Sequence, residues 1–287
     1  MPDGMVSRDM ALEIDNLSGG YGGADVVKHI HCAAQAGEIL CLIGPNGCGK
    51  TTFFRLILGM IPASGGEIRL GGKPSLTLPP AELARHIAYI PQYHTPAFAY
   101  TALDVVIMGR AGRISPFGAP KREDRDAAFA ALDKLKISRL ANAKYTSLSG
   151  GQRQMVLIAR AICQSASIFM MDEPGASLDY ANQQLLMNVT ASLAEQGYCV
   201  VMSTHSPEHP LAIGHKALLM RGGEAVAFGR PTEVITPEIL QEVYGIEIDV
   251  VTAEDRYGAK RTICLPVSAE PSPVTVQGDG RLKRGDL

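Results

Sequence analysis

Three short stretches of this 287-residue chain carry residue types at spacings suited to phosphate chemistry. Gly44-Pro45-Asn46-Gly47-Cys48-Gly49-Lys50-Thr51 fits G-x-x-x-x-G-K-[ST]. In that pattern glycines let backbone N–H groups turn toward an anion, and the helix that follows adds its positive end. Gly44, Gly47 and Gly49 are placed for this, and Pro45, Asn46 and Cys48 complete the loop. Lys50 would reach β- and γ-phosphates, the Thr51 hydroxyl would ligate Mg²⁺, an ion that prefers oxygen, and Thr52 would stand beside the α-phosphate. Farther on, Ile168-Phe169-Met170-Met171 is an apolar run that ends in Asp172-Glu173. Asp172 at the end of a buried strand could hold Mg²⁺ through water, and Glu173 could orient and deprotonate a water attacking the terminal phosphate in line. Taken alone, Asp172-Glu173-Pro174 reads equally well as a solvated strand end. Between these stretches lies Leu148-Ser149-Gly150-Gly151-Gln152-Arg153-Gln154, which by itself would be a small polar turn.

The elements that must position these residues follow from apolar patterning. Glu38 to Ile43 is an apolar run entering the Gly-rich turn, and Thr51 to Leu58 has helical composition with a stop at Gly59. Ile168 to Met171 and Cys199 to Met202, bounded by polar or turn residues, read as buried parallel strands. Thr101 to Met108 and Asp124 to Leu135 pattern as helices joined by a Gly/Pro-bearing connection from Gly109 to Pro120. Leu12 to Gln35 and Gly65 to Gly72 are rich in strand and turn residues. The alternation indicates an α/β layer architecture. From Pro266 onward Ser, Pro, Gly and charged residues replace the apolar pattern, which predicts a disordered tail.

Composition narrows the class. Hydrophobic residues make up 46% and charged residues 20%, with a formal net charge of −2, the balance of an ordinary globular protein. No Lys/Arg run precedes the tail, which disfavours a nucleic-acid binder. The six cysteines are scattered without a C-x-x-C pair and suggest neither a zinc site nor a disulfide framework. No apolar stretch approaches the ~20 residues of a membrane-spanning helix, and the N-terminus lacks the apolar segment of a signal peptide, so a cytoplasmic protein is expected.

The order of phosphate loop, LSGGQ stretch and acidic strand resembles the ATP-binding-cassette ATPases over roughly Leu12 to Val267. That resemblance implies a RecA-like P-loop NTPase core with a small antiparallel β subdomain and an inserted α-helical subdomain. The expected division is a flexible N-terminus at 1–10, an ATPase domain at 11–265 with the helical insert at about 93–160, and a tail at 266–287. It implies ATP and Mg²⁺ as ligands. It also assigns roles that spacing alone would not. Gln92, in Tyr89-Ile90-Pro91-Gln92, matches the Q-loop glutamine that meets Mg²⁺ and the attacking water. His205 matches the switch histidine at the γ-phosphate, and Tyr21 the aromatic stacked on adenine, although a Tyr with no such role remains open. Ser149, Gly150, Gly151 and Gln152 match the signature that completes the nucleotide site of a second copy, and Asp179, in Ser177-Leu178-Asp179, the loop that crosses between copies. Two departures stand out: Gly175 where many relatives carry Thr, and Ser206 where Asp often follows the histidine.

Ala88 to Gln92, Leu103 to Arg110 and Thr236 to Gly245 look like importers of iron-siderophore, haem and cobalamin complexes, with molybdate or free-metal import as an alternative. This implies two copies of the chain at the cytoplasmic face of the membrane, two integral-membrane permease subunits and an extracytoplasmic substrate-binding protein. The stretch His94 to Gly109, with Tyr100, Thr101, Leu103, Val105, Val106 and Met108, is the expected permease-docking surface, or else an ordinary buried helix. A different class is a soluble single-cassette ATPase acting on an iron–sulfur scaffold. A catalytically dead regulator is disfavoured by Lys50, Glu173 and His205 together.

Overall fold

Every residue of the strand Ile39–Ile43 is buried, as is every residue of Ile168–Met171 and Cys199–Thr204. Side chains alternate across a strand, so such runs require apolar cover on both faces of their sheet. The computed structural model describes residues 10–75, 78–92, 99–114 and 118–267. In chain order these contain β1 (Met10–Tyr21), β2 (Ala24–Gln35), β3 (Ile39–Ile43), α1 (Lys50–Ile57), β4 (Ala63–Leu70), β5 (Lys73–Pro74), α2 (Pro80–His86) and β6 (Ile87–Ile90). Next come α3 (Ala102–Ile107), α4 (Arg122–Lys134), α5 (Gly150–Gln164), β7 (Ile168–Met171), α6 (Tyr180–Glu195), β8 (Cys199–Thr204) and α7 (Glu208–Ile213). The chain continues through β9 (Lys216–Arg221), β10 (Glu224–Gly229), α8 (Pro231–Val234), α9 (Pro237–Tyr244), β11 (Ile248–Glu254) and β12 (Lys260–Pro266).

One sheet has the order β10-β9-β3-β8-β7-β6; β9, β3, β8, β7 and β6 are parallel, and β10 closes an edge antiparallel. A second sheet, β2-β1-β4-β5, is antiparallel. The two faces of the parallel sheet bury different partners. Ile39 and Cys41 of β3 join Phe169, Met171, Val200 and Met202 in a core with α3, α4, α5 and α6. Leu40 and Leu42 join Met170, Val201 and Leu218 in a core with Phe53, Phe54 and Leu56 of α1 and with Leu12, Ile14 and Ile30 of the antiparallel sheet. A third core seats Val234, Leu240, Val243 and Ile248 on Ile43, Ala217 and Leu219.

The layers match the expected architecture, and the departures are local. The Leu148–Gln154 stretch, by itself a small polar turn, opens α5 at Gly150 because Ser149 caps the helix: its hydroxyl accepts from the Gln152 N–H while the Gln152 side chain accepts from the Ser149 N–H, a reciprocal pairing that uses two otherwise open donors. Met108–Arg113, which takes the last residue of the expected helix and the start of the expected connection, is a 3-10 turn, tied to α4 by the Arg110 guanidinium on buried Asp124 at 3.1 Å. Val105 and Val106 are fully buried against α4 and α5, so these two cannot belong to a docking surface; Tyr100 and Leu103 are half-buried and Met108 is exposed. The β11–β12 hairpin has no counterpart in the sequence-based elements. His94 to Phe98 of the expected docking stretch, residues 1–9 and the tail from 268 lie outside the described residues.

Leu42 is fully buried on the central strand, where truncation leaves a cavity that fixed neighbours cannot fill. Leu42→Ala should lower unfolding stability by roughly 2–5 kcal/mol, read as a shift of the denaturant midpoint at unchanged slope.

Candidate active site

Parallel pairing brings three strand ends to one edge of the sheet. Ile43 pairs with Thr204 and Met171 with Met202, so the residues that follow β3, β7 and β8 emerge side by side, the usual place for a ligand in an open parallel sheet. These are the loop from Gly44, the pair Asp172-Glu173, and His205.

The loop has a geometry that side chains would obstruct. A β-carbon on Gly44 would lie 2.3 Å from the Met220 carbonyl oxygen, and Gly49 has φ +107°, which strongly favours glycine. Gly49 provides no side-chain cap to α1, and the first turn of that helix holds no acidic residue. The amide groups at this end are therefore suited to an anion. Cys48 packs inward, with its Sγ beside Gly44, and burial pushes its thiol pKa up against the smaller opposing effect of Lys50. A protonated thiol is a poor nucleophile.

A polar cavity of about 320 Å³ is lined by Val26, Asn46, Gly47, Gly49, Lys50, Thr51, Thr52, Gln92 and Glu173. Lys50 is only 5% exposed, and its ammonium donates to the carbonyls of Gly44 at 2.7 Å and Pro45 at 3.2 Å. It also stands 3.4 Å from Glu173 Oε1. The other carboxylate oxygen of Glu173 accepts from Gln92 Nε2 at 3.2 Å. Glu173 holds φ +43°, a conformation that non-glycine residues adopt at a cost of ~1–3 kcal/mol and that gathers at functional sites. Its N–H donates to Ser203 Oγ at 2.8 Å, and the Ser203 hydroxyl donates to Asp172 Oδ1 at 2.7 Å. One buried serine thus fixes both acidic residues.

Asp172 is 3% exposed and stands behind the cavity wall. Its second oxygen accepts from the Tyr89 hydroxyl at 3.4 Å. Burial, and then the Asp172 charge, push the Tyr89 pKa up to about 12, which keeps that hydroxyl a donor at neutral pH. The Thr51 hydroxyl, the Asp172 carboxylate and the Gln92 side-chain oxygen are all oxygen donors, the chemistry that Mg²⁺ selects. This donor set fits the ion.

Other residues marked in the sequence stand elsewhere. His205 and Glu173 line a neighbouring cavity of about 720 Å³, so Glu173 is the wall shared by the two. Tyr21 ends β1, 45% exposed, and its hydroxyl accepts from Arg55 at 2.7 Å. Ser149, Gly150, Gly151 and Gln152 are absent from the lining of both cavities; Ser149 and Gly150 face outward. Gly151 is buried, and a β-carbon there would lie 2.3 Å from Asn182 Oδ1, which makes it a packing glycine between α5 and α6. Asn182 in turn donates to Asp179 from its backbone at 2.8 Å and its side chain at 2.9 Å. Asn182 therefore joins the signature turn to Asp179, and Tyr180 beside them is 86% exposed. Gly175 has room: a β-carbon would meet Leu186 at 3.5 Å, so the absence of Thr is not imposed by crowding. Ser203, Tyr89 and Asn182 escaped the sequence reading, because each acts through a partner remote in the chain.

Comparison with known proteins gives the family. Residues 27–176 match the family model described as ABC transporter. A molybdate import ATP-binding protein of Haemophilus influenzae is 36% identical, the match covering 82% of this chain and 88% of the relative. A hemin import ATP-binding protein of Thermobifida fusca is 34% identical, with 88% of each chain covered. Among solved structures, a chain of a metal-chelate type ABC transporter in an inward-facing conformation superposes with a TM-score of 0.82 at 34% identity, covering 91% of this chain and 98% of that one. With these likenesses added to the phosphate loop, the acidic strand end and the LSGGQ turn, the chain belongs to the ABC transporter family, as an ATP-binding ATPase.

Proposed function

We propose that this chain is the ATP-hydrolysing subunit of a membrane importer and works as a pair of copies closing around two ATP molecules. The observation that carries the site assignment is Glu173, held at a strained φ of +43° between Lys50 and Gln92. The phosphates would lie along the Gly44–Thr51 loop and the end of α1, with Asn46 and Thr52 beside them and Tyr21 on the adenine. Lys50 would exchange its carbonyl contacts for β- and γ-phosphate oxygens. Thr51 and Gln92, and Asp172 through water, would hold Mg²⁺, which would supply neutralisation of the developing phosphate charge. Glu173 would orient the attacking water and take its proton, with Gln92 fixing the carboxylate and His205 contacting the γ-phosphate.

The outward-facing Ser149-Gly150 turn supports a site completed in trans. The N-terminus of α5 carries no acidic residue in its first turn, so its positive end suits the terminal phosphate held by a second copy. Asp179, through Asn182, would link the two sites. For domains we propose one ATPase unit over 11–265 with a helical insert at about 93–160. The groove of about 590 Å³ lined by Tyr100, Ile107, Met108, Ala111 and Ile114 is our candidate docking surface for an integral-membrane permease, in place of the buried Val105 and Val106. Among the described residues no helix is long and apolar enough to cross a membrane, in keeping with a peripheral subunit at the cytoplasmic face. The hemin and metal-chelate names among the relatives support a metal-chelate substrate; we propose one of the siderophore, haem or cobalamin type, delivered by an extracytoplasmic binding protein, with molybdate as second reading.

Glu173→Gln should retain ATP binding within a few-fold while turnover falls by about a hundredfold or more, the scale of a lost general base. The variant should accumulate as an ATP-bound dimer in size-exclusion chromatography; undiminished steady-state ATPase would remove Glu173 from its role. Ser203→Ala should leave the Glu173 N–H without its acceptor, lowering stability by about 1–3 kcal/mol and slowing turnover more than it weakens ATP binding, as measured by denaturant melts and nucleotide titration.

A further inference from the structure

His205 stands on a turn whose fixings come from residues with no role in the chemistry assigned above. Thr204, 4% exposed, ends β8. Its hydroxyl oxygen accepts from the Ser206 N–H at 3.1 Å and lies 2.8 Å from His209 Nδ1 on α7. Either tautomer of the neutral imidazole satisfies this contact, the hydroxyl donating to Nδ1 or using its second lone pair to accept from Nδ1–H. Burial, and then the neighbouring His205, lower the basicity of His209, which favours that neutral form.

On the other side, the His205 carbonyl accepts from the Tyr244 hydroxyl at 2.8 Å. Tyr244 is the last residue of α9, and burial raises its pKa, so it remains a donor. The supporting elements are themselves tied down. Val243 and Leu240 of α9 are buried on β9, and the Arg221 guanidinium donates to the Glu242 carbonyl at 2.5 Å. The N–H of Cys264 on β12 donates to Glu208 at 3.4 Å, beside His209. The end of the chain that is described thus converges on one histidine turn.

We propose that His209 and Tyr244 are positioning residues for His205, fixing the turn from its two flanks so that the imidazole meets the γ-phosphate in a single orientation. The inference rests on the role given to His205 above. Neither side chain lines the phosphate-loop cavity, so losing either should act on the rate of hydrolysis and leave nucleotide affinity alone.

The test measures kcat for ATP hydrolysis and the Kd for ATP on the full-length chain, with thermal melts as a check on folding. Tyr244→Phe and His209→Leu should each lower kcat by about five- to twentyfold, less than the roughly hundredfold that an ångström of misplacement can cost, with Kd within twofold. His209→Asn, which keeps a hydrogen-bonding atom near the place of Nδ1, should recover most of the rate. Placed on His205→Ala, neither substitution should slow hydrolysis further, because there is no longer an imidazole to misplace. Full-speed Tyr244→Phe and His209→Leu beside a slow His205→Ala would overturn the positioning role alone. The same is true if each variant slows His205→Ala as much as it slows the parent chain. A full-speed His205→Ala would overturn the role of His205 itself, and this inference with it.

Discussion

The constraint on which the site depends is the parallel register of β3, β8 and β7. Pairing Ile43 with Thr204 and Met171 with Met202 makes three unrelated stretches of chain end at one level. A slip of one residue would turn every apolar side chain of a strand to the opposite face. The two faces bury different partners, helices on one and α1 with the antiparallel sheet on the other, so the core itself specifies the register. The alignment of Gly44, Asp172-Glu173 and His205 is thus a consequence of packing, and the proposed chemistry would use an edge that burial has already set.

Fine positioning is polar. Ser203 lies one residue from the end of β8, buried like its neighbours, yet its hydroxyl is what makes Asp172 and Glu173 a single rigid unit. Leaving a buried donor or acceptor unmet costs about 1–3 kcal/mol, so the serine specifies an arrangement instead of merely filling space. Tyr89 does the same from the adjacent strand β6. Tyr89 on β6, Ser203 on β8 and Asp172 just past the end of β7 form a polar contact across three neighbouring strands, immediately behind the cavity wall.

How far the sequence reveals this depends on whether a residue's reason is local. Gly49, Lys50 and Thr51 are legible because a loop entering a helix needs those types at consecutive positions. The buried strands are legible because the apolar runs are short and bounded; the capping role of Ser149 was not read, although its type fits the residue preference of helix starts. Val105 and Val106 were ambiguous because an apolar stripe on a short helix does not disclose whether a core or a partner covers it. Gly151 carries two readings in one letter, nucleotide contact and close packing, and only the approach of Asn182 supplies the second. Ser203, Tyr244 and His209 were illegible for a different reason. Their partners are fixed by the folded topology, with Tyr244 bonded to a carbonyl 39 positions earlier.

The contacts of Lys50 and Glu173 also indicate why the carboxylate must be held so tightly. Lys50 and Glu173 stand 3.4 Å apart and both are largely buried, where charges interact strongly and desolvation is costly. In the proposed cycle a phosphate entering the loop would compete for the same ammonium, and its own negative charge would then repel the carboxylate. If Glu173 were free to rotate, it would swing away from the γ-phosphate when an attacking water needs it. The backbone donation to Ser203, the Gln92 amide on the second oxygen and the left-handed φ remove that freedom. The local strain therefore has a mechanical purpose in the proposed cycle: it keeps a negative group facing a negative substrate.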